Sequence, residues 1–173
     1  VVMPCRNEAE GLNGFVKNIP KEYDEIILVS NKSTDDTEKI AKQIERKNKS
    51  FHLIVDNRSR NGIGYGYAHM SGVDIATGDI IVGADADGTY PIEEIAKIIQ
   101  YMDTSKKDFI VCERYPVMAD SKVIGFKQKL GIGLLNLEIM SLFGIKLNDS
   151  LSGMWVFRKD VRDKLKLSDD MGD

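Results

Sequence analysis

Cysteine is scarce in this chain: its 173 residues include only Cys5 and Cys112, and so sparse a pair provides neither a disulfide framework nor zinc-ligand spacing. A reducing, cytoplasmic compartment is the expectation. Histidine is as rare, and His52 and His69 lack metal-ligand spacing, so both are expected to be structural. An excess of positive charge is also missing. The net charge is -3 and the pI near 5.5, which gives a nucleic-acid backbone no bulk attraction, so nucleic acid is not an expected partner. Long apolar runs are absent as well. The most hydrophobic stretch, Ile132 to Leu147, is broken by Asn136, Glu138, Ser141 and Lys146, and a spanning helix needs roughly 18 apolar residues with few or no charges. No secretory signal, internal repeat, low-complexity segment or linker is evident.

What is present is enough for one core. A chain of this length with 42% hydrophobic residues suits a single α/β domain rather than two. Both ends read as cut, since Val1 lies inside an apolar strand pattern and residues 169–173 form a polar, turn-like stretch after a short helix. Short runs rich in Val and Ile alternate with segments of helical period, the pattern of βαβ units and a mostly parallel sheet. The pattern predicts strands near 1–3, 25–30, 51–55, 79–84 and 108–112, and helices over 8–18, 34–47, 65–76, 91–102 and 126–143. The fold class is therefore α/β: a Rossmann-like, three-layer α/β/α arrangement around a mostly parallel central sheet.

Capping chemistry marks several boundaries. Ser33, Thr34 and Asp35 offer side-chain oxygens to the free N–H groups opening the second helix. Pro91, with Glu93 and Glu94 behind it, suits a first helical turn. Right-handed crossovers then bring the C-terminal ends of the strands to one edge, where open α/β sheets bind ligands. Polar residues follow three of those strands: Pro4 to Glu8, Ser30 to Asp35 and Asp85 to Thr89.

The last of these groups carries the sharpest chemistry. Asp85 and Asp87 leave the apolar run Ile80 to Ala84 on the same side, about 6.6 Å apart if extended at ~3.3 Å per residue, and closer in a turn. Two such carboxylates repel unless a cation joins them, and hard oxygen ligands suit Mg²⁺ or Mn²⁺ with a diphosphate completing the shell. Alone, an Asp-x-Asp is better explained by a solvated turn. Arg60-Asn61-Gly62-Ile63-Gly64-Tyr65-Gly66 leads into a helix whose first N–H groups could meet an anion. It follows the third strand, not the first, so it is not the dinucleotide fingerprint. Pro4-Cys5-Arg6-Asn7-Glu8 and Ser30-Asn31-Lys32-Ser33-Thr34-Asp35 present groups that could grip a base and ribose, or serve only as turn and capping residues.

The ordered blocks VVMPCRNEAEGL, EIILVSNKSTDDTEKIA, GIGYGYAHMSGVDIATGDIIVGADADG and LNDSLSGMWVFRKDV together resemble glycosyltransferase family 2, whose fold is GT-A. Within it the chain is most similar to polyprenyl-phosphate sugar synthases such as dolichyl-phosphate mannose synthase, over nearly its whole length. The resemblance implies that Pro4, Arg6, Asn7, Glu8, Ser30 and Asn31 line the nucleoside site. It assigns Asp85 and Asp87 to the metal and diphosphate, with Arg60, Gly62 and Gly64 nearby. Arg114 falls on a segment that contacts a phosphate, and Asp149, Ser152 and Gly153 fall on the acceptor side. Ser30 stands where relatives carry an acid, Thr89 where many carry Gln, and Met154-Trp155 where Phe-Arg is usual. The processive synthases' Gln-x-x-Arg-Trp motif is absent.

The implied reaction is transfer of a sugar from a nucleoside diphosphate sugar, with inversion, aided by Mg²⁺ or Mn²⁺. A polyprenyl phosphate acceptor needs no base, whereas a glycan hydroxyl needs one, for which Asp149 is the candidate. Lys127 and Lys129 on the helix 126–143 could meet headgroups at the cytoplasmic face of a membrane, although a packed helix with a solvated face explains them better. Two rivals remain at this point. Ile81 to Thr89 also resembles the nucleophile motif of haloacid-dehalogenase-type phosphatases, with Asp85 attacking and Asp87 moving protons. A non-catalytic nucleotide-binding domain is the other.

Overall fold

The computed structural model describes residues 1–18, 23–56, 64–87, 90, 94–114 and 125–164. Six strands form one sheet: β1 (Val2–Cys5), β2 (Ile26–Asn31), β3 (Phe51–Asp56), β4 (Ile80–Gly83), β5 (Phe109–Val111) and β6 (Trp155–Arg158). Their order is β3-β2-β1-β4-β6-β5, with β1 parallel to β2 and β4, β2 parallel to β3, and β6 antiparallel to β4. The helices are α1 (Ala9–Asn18), α2 (Thr37–Glu45), α3 (Tyr65–Ile75), α4 (Ile95–Ser105), α5 (Phe126–Phe143) and α6 (Lys159–Lys164). The chain divides into two compact units, Val1–Ile110 with Trp155–Asp173, and Val111–Met154.

In the first unit β1 and β2 are buried on both faces, and alternation sorts the side chains of the sheet between two cores. Val2, Ile27, Val29 and Ile81 pack with Ala68 and Val73 of α3 and with Phe157 and Val161, whereas Met3, Ile26, Leu28 and Phe51 pack with Leu12 of α1 and Ala41 of α2. Helices thus cover both faces, as the three-layer expectation required. Helix α3 lies unusually close to the sheet. A Cβ on Gly72 would overlap Cγ1 of Val2 and stand 3.1 Å from Cγ2 of Val29, so only the missing side chain allows this approach.

Strand β6 is the element that the sequence pattern did not predict. It is four residues long, only Val156 and Phe157 in it are buried, and it runs directly into α6. With one Val and no Ile in Trp-Val-Phe-Arg, no Val- and Ile-rich run marks it. The second helix starts at Thr37 rather than 34, because Ser33 and Thr34 bond to the neighbouring loop instead of to helix N–H groups. Pro91 and Glu93 lie outside the described residues, and Glu94 occupies the N-cap of α4.

The second unit is organised around α5, whose limits are those that the period predicts. The N–H of Gly125 is met by Oε1 of Gln128, and Gly144 ends the helix in the left-handed region at φ 68°. Asn136 interrupts the apolar pattern for a structural reason. Its amide donates to the carbonyl of Asn148 at 2.8 Å and accepts from the N–H of Ser150 at 3.1 Å, tying the helix to the loop that follows it.

Gly72→Ala is expected to destabilise the protein by about 1–3 kcal/mol, the usual penalty of overpacking a filled core. Denaturant unfolding compared with Gly14→Ala, where an added Cβ meets nothing within 4 Å, measures it; equal stability of the two variants would refute the close contact.

Candidate active site

Side chains at the ends of β1, β2 and β4 and at the start of α3 surround a cleft of about 340 Å³. Of the residues expected to bind donor and metal, Pro4, Arg6, Glu8, Asn31, Gly64, Asp85 and Asp87 line it. Its character is acidic. Glu8 has its carboxyl raised above the usual carboxylate range, first by burial and then by the charges of Asp87, Asp35 and Asp85. Asn31 adds a different signal: the residue is 7% exposed, and its Oδ1 is buried with no hydrogen-bond partner. A buried acceptor left unmatched is costly and is ordinarily satisfied by a ligand or water.

Two expected contact residues stand behind the cleft instead of in it. Ser30 is fully buried, and its hydroxyl donates to Glu38 Oε1 at 2.9 Å and lies 3.1 Å from Ser33 Oγ. Asn7 is exposed in the left-handed region at φ 58°. Its N–H donates to Ser33 Oγ, while its Oδ1 accepts the N–H of Thr34 at 2.8 Å. These bonds lock the loop after β1 to the loop after β2. Arg60 and Gly62 lie outside the described residues.

Asp35 completes that lock. One carboxylate oxygen accepts the N–H of Ala9, the first residue of α1, and the other accepts from both the N–H and the hydroxyl of Thr37, the first residue of α2. A single side chain thereby caps two helices, and the bond from the Thr37 hydroxyl leads in holding the Asp35 carboxyl below its usual range. The sequence suggested only the cap of α2; the cap of α1 spans 26 residues and has no local signature. Tyr65 also went unremarked. Its hydroxyl donates to Asp85 Oδ1 at 2.5 Å, and it opens α3 beside the cleft.

His52 Nε2 lies 4.0 Å from Glu25 Oε1. His69 is 5% exposed between the rings of Tyr65 and Trp155, and burial lowers its pKa to about 4, which keeps it neutral. Cys5 and Cys112 are free thiols. Cys5 borders the cleft, and burial, with Glu8 as the leading nearby charge, pushes its pKa up to about 12, which disfavours the thiolate.

The second unit joins Arg114 to Asp149. The Nε and Nη2 groups of Arg114 donate to Oδ2 and Oδ1 of Asp149 at 2.9 and 3.1 Å, and its backbone N–H adds a third bond at 3.0 Å. Nη2 also reaches the carbonyl of Leu151. Burial alone would raise the Asp149 carboxyl, yet the bonds from Arg114 prevail and hold it below the usual range. Ser152, preceding Gly153, donates its hydroxyl to the carbonyl of Cys112, so the loop is fastened at a second point.

Because the pair is buried, removing one partner leaves an uncompensated charge. Arg114→Ala is expected to cost about 3–5 kcal/mol at pH 7. The depressed folded pKa of Asp149 contributes stability above the unfolded value that is lost as pH falls through the folded one. In the variant the stranded carboxyl gains by taking a proton, so the gap to the parent should close on acidification. Urea melts at stepped pH measure this, and a gap that widens below pH 5 would refute it.

Known proteins resemble this chain in sequence and in fold. The chain is 30% identical to the UDP-N-acetylglucosamine–dolichyl-phosphate N-acetylglucosaminyltransferase of Methanococcus voltae over 93% of its length, covering 69% of that relative. It is 27% identical to the low-salt glycan biosynthesis hexosyltransferase Agl6 of Haloferax volcanii, covering 97% of this chain and 40% of Agl6. The mannosyltransferase PcManGT of Pyrobaculum calidifontis, solved with GDP-Man and Mn²⁺, shares the fold with a TM-score of 0.61 at 18% identity, over 95% of this chain and 45% of that one. This is the GT-A form of the α/β sheet. An Asp-x-Asp at the end of a fourth strand, behind three βα units, is out of order for the phosphatase motif. With residues 1–166 matching the model of glycosyl transferase family 2, the carboxylate-lined cleft has its context, and the chain belongs to that family of glycosyltransferases.

Proposed function

We propose that this domain transfers a sugar from a nucleoside diphosphate sugar to a polyprenyl phosphate, with inversion, using Mg²⁺ or Mn²⁺ held by Asp85 and Asp87. The observation that carries the reading is the cleft in which Glu8, Asp85 and Asp87 meet, with Glu8 destabilised as an anion partly by the other two. A cation relieves that repulsion. Among the described residues no three His, Cys, Asp or Glu side chains converge on one metal position; Mg²⁺ and Mn²⁺ commonly take phosphate and water oxygens for the rest of their shell. Bound there, the ion supplies positive charge to the departing diphosphate.

The chain's own residues do the remainder. Asn31 offers its unmatched Oδ1 to an N–H of the nucleobase, and Pro4 and Arg6 wall the same space. Ser30 and Asn7 act through the loops they brace, not by touching the donor. Arg114 brings positive charge to the phosphate end of donor or acceptor. Asp149 orients Arg114 instead of serving as a base, since both its oxygens are engaged and its basicity is reduced. That division of roles favours an acceptor that arrives already ionised, as a phosphate does. The named acceptor of the Methanococcus voltae relative, a dolichyl phosphate, supports the same choice.

Work at the cytoplasmic face of a membrane fits this acceptor. No helix among the described residues is long and apolar enough to cross a bilayer. Helix α5 instead exposes Phe126, Leu130, Leu134 and Leu137 beside Lys127, groups suited to an interface.

A thermal-shift screen of UDP- and GDP-sugars with Mn²⁺ tests the reading. A true donor at 100 times its dissociation constant should add about 2.7 kcal/mol, and Asp87→Ala should abolish the Mn²⁺-dependent part. No stabilisation by any nucleotide sugar, or full stabilisation of Asp87→Ala, would overturn it.

A further inference from the structure

The rim of the cleft holds a side chain to which the proposed reaction gives no part. Tyr65 donates its hydroxyl to Asp85 Oδ1 at 2.5 Å, across 20 residues of sequence. The ring behind that hydroxyl is braced. It meets His69 edge-on, with centroids 4.6 Å apart and planes at 76°, and His69 in turn lies 5.0 Å from the ring of Trp155. His69 is itself buried against β4, its Cε1 3.1 Å from where a Cβ of Gly83 would stand. Glycine at 83 therefore admits the imidazole, the imidazole backs the phenol, and the phenol meets the carboxylate.

The physical consequence concerns orientation. Asp85 leaves the sheet just beyond the end of β4 and is only half-buried, so its carboxylate could turn freely if nothing held it. A short bond from a braced donor removes that freedom before any ligand arrives. We propose that Tyr65 is a positioning residue for Asp85, holding its carboxylate in the orientation in which Asp85 and Asp87 together accept the divalent ion. This rests on the assignment of those two carboxylates to the ion. Hydrogen-bond partners behind a metal ligand set its orientation, and losing one typically costs 10–100-fold in metal affinity or activity.

Tyr65→Phe isolates the hydroxyl, because the ring and its packing on His69 remain. Tyr65 is 42% exposed, so loss of one hydroxyl leaves the core intact. The full chain is titrated with Mn²⁺ in the presence of UDP, and separately of GDP, while the free ion is followed by electron paramagnetic resonance. The expected result is a rise of about tenfold in the Mn²⁺ half-saturation, with the melting midpoint of the ligand-free protein unchanged. An unchanged half-saturation, or a weakening matched by a lower ligand-free midpoint, overturns the proposal. Parent protein that binds no Mn²⁺ with either nucleotide removes the cation assignment and this role with it. Parent that binds, Asp87→Ala that does not, and Tyr65→Phe that equals the parent remove the role of Tyr65 alone.

Discussion

Four carboxylates crowd one edge of the sheet, and their mutual repulsion shapes what surrounds them. Glu8 registers it directly, its carboxyl raised by burial and by the charges of Asp87, Asp35 and Asp85. The crowding follows from the topology: a parallel sheet delivers the C-terminal ends of β1, β2 and β4 to the same side. Two of the four are partly neutralised by donors from the protein. Asp35 accepts from the first turns of α1 and α2, and Asp85 accepts from Tyr65. Asp87 stays exposed at the cleft. The negative field that remains suits a cation bridging to a diphosphate.

Holding such a site against its own charge requires rigid loops. The segments after β1 and β2 are tied by Asn7, Ser33, Thr34, Asp35 and Thr37, and the N–H of Glu8 is itself held by the Thr37 hydroxyl at 2.8 Å. Asn7 and Lys32 take left-handed backbone, at φ 58° and 51°, one in each loop. Non-glycine residues adopt that region only where surrounding bonds over-determine it, and such positions concentrate around functional sites. The second unit uses the same device with opposite charges: two bonds from its guanidinium and one from its backbone N–H fasten Arg114 to Asp149, and Ser152 pins the loop behind it.

Much of this was legible in the residues, though unevenly. Helix α5 has the limits that its period predicts, and β1 to β5 lie where the Val- and Ile-rich runs are; burial on both faces keeps β1 and most of β2 apolar. Strand β6 escaped because Trp155 to Arg158 contain one Val and no Ile and run directly into α6, and its register comes from β4. The acids of the Asp-x-Asp turn and Asn31 line the cleft. Ser30 and Asn7, drawn from the same blocks, bond to the protein instead. A motif identifies which loop reaches an edge without saying which of its side chains turns inward.

The sequence by itself determined the order of elements, the edge at which polar groups gather and the acidic character of that edge, since apolar period and strand-end composition are local properties. Only the tertiary structure decided which groups meet. That Asp35 caps two helices, that Tyr65 holds Asp85 and that Arg114 engages both oxygens of Asp149 are contacts across 20 to 35 residues. Such contacts depend on how crossovers return the chain to the sheet and leave no spacing to read.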